Sequence, residues 1–151
     1  MARIVPMDAQ FEAEWRRLFR GYGQFYGRTL DDAQLDRVWG WLHDPLHEVE
    51  GLLAVDGDQV VGLAHFRRMP SPLRAADLGF LDDLFVDPQA RGGRVGEALL
   101  DELADIARQR GWPVIRWITA DDNYRARALY DRMAKKTLWN LYELAAPATD
   151  A

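Results

Sequence analysis

The stretch that decides the fold is Leu81-Asp82-Asp83-Leu84-Phe85-Val86-Asp87-Pro88-Gln89-Ala90-Arg91-Gly92-Gly93-Arg94-Val95-Gly96-Glu97-Ala98-Leu99-Leu100. It reads as a buried strand, a turn marked by Pro88, a glycine-rich loop and the start of an amphipathic helix. Glycine lets backbone approach a ligand closely and adopt positive φ. The following helix aims its unpaired N–H groups and positive dipole end back into the loop. Together they predict an anion site, suited to a phosphate or pyrophosphate. Taken alone, the loop has a second reading as a flexible connection. It is neither a Walker loop, since no Gly-Lys-Ser/Thr follows, nor a Rossmann fingerprint, whose glycine spacing differs.

Upstream, residues 3–7 suit a first strand. Asp8 can cap a helix whose Phe11, Trp15, Leu18, Phe19 and Tyr22 share one face. Gly21, Gly23 and Gly27 predict a loosened aromatic segment over 22–27. Thr29 with Asp32 resembles a capping box for a second helix carrying Leu35, Val38, Trp39 and Leu42, which Pro45 ends. Strands are expected at 49–55 and 60–66 around the turn Asp56-Gly57-Asp58, then at 78–86 after a loop over 67–75. Beyond the glycine loop, Val95, Ala98, Leu99, Leu103, Ile106 and Ala107 form a helical stripe that Gly111 and Pro113 stop. A strand at 114–119, a helix over 123–133, a last strand at 138–144 and a frayed tail at 145–151 complete the chain. The order β-α-α-β-β-β-α-β-α-β predicts one α/β domain of α+β type over residues 1–151, with a mixed, mostly antiparallel sheet and helices on both faces.

The 151 residues are 48% hydrophobic, enough for one buried core. A net charge of −5 argues against nonspecific nucleic-acid binding. No apolar run is long enough to span a membrane and the first residues carry no secretory h-region, so a cytoplasmic location is the expectation. Absence of cysteine excludes disulfides, cysteine nucleophiles and thiolate metal sites. His43 and His47 stand i, i+4 apart, but Pro45 breaks the helix that would align them, so no metal is expected.

Three features together resemble the GNAT family of acetyl-coenzyme A-dependent N-acetyltransferases, nearest its diamine and histone acetyltransferase-like branch. They are the strand 81–86 with Asp87-Pro88, the loop from Arg91 to Gly96 opening a helix with Ala98-Leu99-Leu100, and Thr119-Ala120-Asp121-Asp122-Asn123-Tyr124-Arg125-Ala126-Arg127-Ala128-Leu129-Tyr130. The family loop is Gln/Arg-x-x-Gly-x-Gly/Ala; Arg91 and Gly96 match its ends, while Arg94 stands where the inner glycine is expected. The resemblance implies acetyl transfer from acetyl-coenzyme A to a primary amine, a polyamine-like molecule or a lysine side chain, by direct attack in a ternary complex. The alternative is a non-catalytic acyl-coenzyme A-binding regulatory module on the same fold.

The resemblance also assigns residues. Arg91, Gly92, Gly93, Arg94, Val95 and Gly96 would hold the pyrophosphate. Leu84, Phe85 and Val86 would contact the pantetheine arm, with the N–H of Leu84 or Phe85 on the thioester oxygen. Asp82 takes a family glutamate's position as base or amine anchor, and Asp83 is expected on the opposite strand face. Tyr130 takes the general-acid position, and Asn123 would cap its helix and touch coenzyme A. Acidic residues Asp31, Asp32, Asp36, Asp44 and Glu48 are compatible with a cationic acceptor. A homodimer is a family expectation.

Overall fold

The structure is a computed structural model that describes residues 2–149. Five strands lie in the order β1-β2-β3-β4-β5: β1 (Arg3–Pro6), β2 (Val49–Asp56), β3 (Gln59–Ser71), β4 (Ala76–Val86) and β5 (Ile115–Arg116). The first four are antiparallel neighbours and β5 joins β4 in parallel, giving the predicted mixed sheet. Alternation along β2 divides the core. Leu52 and Ala54 face α3 (Val95–Arg110), whereas Leu53 and Val55 face α1 (Glu12–Phe25) and α2 (Asp32–His43). The fourth helix, α4 (Tyr124–Met133), packs Leu129, Tyr130 and Met133 on the α3 side.

Several expectations change. α1 continues through Gly21 and Gly23 to Phe25, because Gly23 is buried under Leu30, where a Cβ would sit 3.1 Å from that side chain. The capping box of α2 is Asp31 with Gln34, not Thr29 with Asp32. β3 runs on to Ser71 through Pro70. Its pairing with β2 ends at Arg67, so Pro70 costs no hydrogen bond on that side.

Two changes bear on function. The strand expected over 114–119 keeps only Ile115 and Arg116 in the ladder, against Gly79 and Phe80, so β4 and the chain beyond β5 diverge after residue 81. The strand expected over 138–144 is absent: residues 134–149 form no regular element and every one of them is exposed.

β4 also carries a bulge. Its register against β3 passes from His65↔Asp83 to Phe66↔Leu81, leaving Asp82 as the extra residue. Leu81 therefore packs on the α3 side and Phe85 on the α1 side, although an unbroken strand would put both on one face. The predicted alternation of Asp82 and Asp83 fails for the same reason.

Candidate active site

The divergence of β4 from β5 opens a cleft of about 460 Å³, within the range usual for small-molecule sites. Leu84, Phe85 and Val86 form its floor, the loop and first turn of α3 one end, α4 one wall, and Tyr22, Phe25 and Tyr26 the other. The floor is an open strand edge. Before the bulge, the Gly79 N–H points to β5, donating to Val114 O; after it, the Asp87 N–H points to β3, donating to Val61 O. Strict alternation back from Asp87 turns the Leu84 and Val86 N–H groups away from β3, toward the cleft. Of the two donors considered from sequence, Leu84 is the outward one.

At the loop end, α3 begins without any side-chain cap. Its N-cap residue is Arg94, in the left-handed region at φ 60°, and Gly92 also has positive φ at 92°. A non-glycine residue held there stores of the order of 1 kcal/mol, consistent with a loop shaped by something other than local preference. The first helical Ala98 N–H bonds Arg94 O, so the N–H groups of the preceding turn are free to meet a ligand. Arg91, Gly92, Arg94, Val95 and Gly96 all line the cleft, and so do Asn123 and Tyr130; Gly93 does not. Asn123 caps α4, its Oδ1 accepting from the Ala126 N–H.

Sequence reasoning missed Arg125 and Arg132. They lie seven residues apart, two helical turns, and so line the cleft from one face of α4. With Arg91 and Arg94 they set four guanidiniums against one carboxylate, Glu97, which Arg132 contacts at 3.2 Å. A chain of net charge −5 thus concentrates positive charge at this one cleft. Their signal was the seven-residue spacing from Arg125 to Arg132 within the expected helix 123–133.

Tyr130 packs edge-on against Trp117 with ring centroids 5.2 Å apart. Burial, with a contribution from nearby Tyr26, pushes its hydroxyl up to about 12. Tyr22 stands opposite, edge-on to Phe85 at 5.7 Å. Burial and the nearby carboxylate of Asp83 push the Tyr22 hydroxyl pKa up as well. Asp83 continues inward: its Oδ2 lies 2.9 Å from Nδ1 of His65, and His65 Nε2 lies 3.0 Å from Trp15 Nε1. An indole N–H only donates, so Nε2 accepts and Nδ1 carries the proton given to Asp83. Two hydrogen bonds, Trp15–His65 and His65–Asp83, therefore run from the core to a carboxylate near Tyr22 of the cleft wall. Neither Tyr22 nor His65 carried a motif; the arrangement exists because β3, β4 and α1 converge there.

Both oxygens of Asp82 meet Arg67 Nε, at 3.0 and 3.2 Å, and neither Asp82 nor Asp83 is among the cleft-lining residues. Burial raises the Asp82 pKa from the usual carboxylate value, and Arg67 only partly offsets this. The other acidic residues are structural in part: Asp31 caps α2, Asp32 pairs with Arg20, Asp36 pairs with Arg16 at 2.6 Å, and Asp44 bonds the Leu46 N–H.

Known proteins give this geometry a context. A profile described as the acetyltransferase (GNAT) family matches residues 12–134. The D-amino-acid N-acetyltransferase HPA3 of Saccharomyces cerevisiae is 28% identical over 142 residues, covering 93% of this chain and 86% of its own. The uncharacterized N-acetyltransferase YhfO of Bacillus subtilis is 30% identical over 115 residues, 76% of each. In fold, the crystal structure of a ribosomal-protein-alanine N-acetyltransferase from Brucella melitensis biovar Abortus 2308 superposes with a TM-score of 0.81 at 24% identity, covering 97% of this chain and 99% of the other. A profile match spanning both the open β4 edge and the arginine-lined loop makes this chain a member of the acetyltransferase (GNAT) family, an acyltransferase enzyme.

Proposed function

We propose that this protein transfers an acetyl group from acetyl-coenzyme A to a primary amine, by direct attack while both substrates are bound. The observation that carries this reading is the open edge of β4 leading into the uncapped start of α3 among four arginines. A pyrophosphate suits the free N–H groups and the Arg91 and Arg94 side chains, and Arg125 and Arg132 extend the same field. The pantetheine arm adds to the β4 edge at Leu84 and Val86 as an extra strand would. The Leu84 N–H then polarises the thioester carbonyl and holds the oxyanion. The ammonium first loses one proton to the base, the neutral amine attacks to form the N–C bond, the C–S bond breaks to release the thiolate, and the second amine proton leaves to solvent.

Two tyrosines flank that chemistry. Tyr130 donates a hydrogen bond to the leaving sulfur. With its own pKa near 12 and an ordinary thiol near 8.5, complete proton transfer would run uphill by about 5 kcal/mol. Its role is therefore donation rather than delivery of the proton. Tyr22 lines the wall opposite Tyr130 with Asp83 near it, and Asp83 is the carboxylate we assign to take up the ammonium proton. The Asp82 carboxylate, held by Arg67, is the weaker candidate for base. Accordingly, Asp83→Asn should lower kcat/KM at least tenfold and Asp82→Asn less than threefold. The reverse order in initial-rate measurements would return the role to Asp82.

The acceptor is an amine small enough for a wall of Tyr22, Phe25 and Tyr26, and an amino-acid amine is compatible with the HPA3 likeness. The whole reading is tested by thiol release over a panel of amino acids, polyamines and lysine peptides. Because the chain has no cysteine, a thiol reagent reads only the product. Thermal melting with acetyl-coenzyme A runs alongside, since a ligand selective for the native state raises the midpoint. No midpoint shift at millimolar ligand refutes the site. A shift without thiol release for any amine favours the non-catalytic binding module.

A further inference from the structure

We infer, resting on the acetyl transfer proposed above, that the acceptor is an α-amino acid and that Arg67 binds its carboxylate. Arg67 is held on β3 by two contacts that leave its terminal donors open. Its guanidinium lies over the Phe80 ring, 4.7 Å from the centroid, and its Nε donates to Asp82, at 3.0 and 3.2 Å from the two oxygens. Neither Nη atom has a hydrogen-bond partner among the described residues. Arg110 shows the contrast, giving Nη1 and Nη2 together to Glu50. The Arg67 side chain is 34% exposed, so the open donors can be reached. A guanidinium already oriented by stacking and by one carboxylate is suited to bidentate capture of a second.

The spacing to the reacting end selects the class of acceptor. The bulge brings Asp82 and Asp83 to one side of the sheet, where Asp83 meets His65 and Asp82 meets Arg67. Those two partners stand two residues apart on β3, about 7 Å. Asp83 also lies near Tyr22 of the cleft wall, so the Asp83 end is the one next to the strand edge where the thioester is placed. With the ammonium on Asp83, a carboxylate carried on the same carbon falls toward Arg67. An α-amino acid with a hydrogen bond of about 2.8 Å at each end covers that interval. Charge runs in the same order. Asp82 and Arg67 balance as a pair, and a zwitterion adds its cation at Asp83 and its anion at the open fork. A polyamine would instead bring a second cation up to Arg67. The aromatic wall of Tyr22, Phe25 and Tyr26 offers the amino acid's side chain an apolar surface.

Thiol release from acetyl-coenzyme A tests this with D- and L-phenylalanine and D- and L-alanine, each against its carboxamide. The amide keeps the size and the amine but carries no negative charge. Wild-type kcat/KM is expected to be at least tenfold higher for the preferred acid than for its amide, because a site built to hydrogen-bond a group rejects the analogue lacking it. Arg67→Gln should raise KM for that acid at least tenfold and leave the amide within threefold. Arg67→Lys keeps the charge without the fork and should restore only part of the preference. The rise in melting midpoint with acetyl-coenzyme A should be the same in both variants, which reports the body and the cofactor site independently. An amide used as well as its acid, equal losses on acid and amide in Arg67→Gln, or release with polyamines and not with amino acids would each overturn the proposal while leaving acetyl transfer standing. The wild-type comparison needs no variant, so a poorly folded Arg67→Gln does not shield the proposal. Thiol release with no primary amine at all would remove acetyl transfer itself, and the assignment of Arg67 with it.

Discussion

Tyr130→Phe is expected to lower kcat about 100-fold while acetyl-coenzyme A affinity stays within about twofold. The ring keeps its place, since the edge-on contact with Trp117 and the packing on the α3 side involve no hydroxyl. What disappears is one preorganised donor aimed where negative charge develops, a loss that typically costs 10²–10³ in turnover. Affinity should hold because the proposed pyrophosphate site is at the other end of the cleft, at the start of α3 and its arginines. The raised pKa adds a signature: the hydroxyl remains a donor until about pH 12, so wild-type kcat should show no tyrosine-derived falling limb below about pH 11. Steady-state kinetics and a pH profile check both points. Unchanged turnover would remove Tyr130 from the reaction.

His65→Leu should cost about 3 kcal/mol of stability, a fall of roughly 6–12 °C in Tm for a chain of this size. His65 is 1% exposed and Trp15 is wholly buried. Leucine would fill much of the volume, so the cost is polar. The Trp15 N–H would be buried without an acceptor, at about 1–3 kcal/mol, and Asp83 would lose a hydrogen bond of about 1 kcal/mol. A double-mutant cycle separates this from packing. In the His65→Leu background, Trp15→Phe should cost clearly less than it does in the wild type, because the stranded donor is gone. Equal costs in both backgrounds would show that the bond contributes nothing. Freed from His65, Asp83 should also be less firmly placed near Tyr22, and kcat should fall more than the melting curve alone accounts for.

The sheet and its helices were legible in the sequence wherever one residue's environment repeats at a fixed period. Leu52 to Val55 alternate between two cores, and Leu99, Leu103 and Ala107 follow the helical stripe. The glycine-loop end of the cleft was legible for a related reason: glycines, an arginine and a helix start are contiguous. The opposite wall and what lies behind it were not. Tyr22, His65 and Asp83 come from α1, β3 and β4, and only the register of β3 on β4 brings them together. Asp82 and Asp83 were expected on opposite strand faces because strict alternation has no means of anticipating an inserted residue. Residues 138–144 have the composition of a strand, but composition states only that a strand wants neighbours, and in this fold the segment pairs with none.

The insertion at Asp82 can be regarded as a change of phase. Up to Leu81 the strand's outward donors serve the sheet, as the Gly79 bond to Val114 shows; past the insertion the outward set is shifted by one residue. A strand of unbroken period would carry the phase of Gly79 onward, sending Phe85 toward the α3 core and exchanging the even-numbered donors at the cleft for odd-numbered ones. At position 82 the chain therefore depends more on the length of backbone than on the chemistry of the side chain. Substitution there adjusts a charge next to Arg67, whereas a one-residue deletion would invert the orientation of every group from Asp83 to Val86.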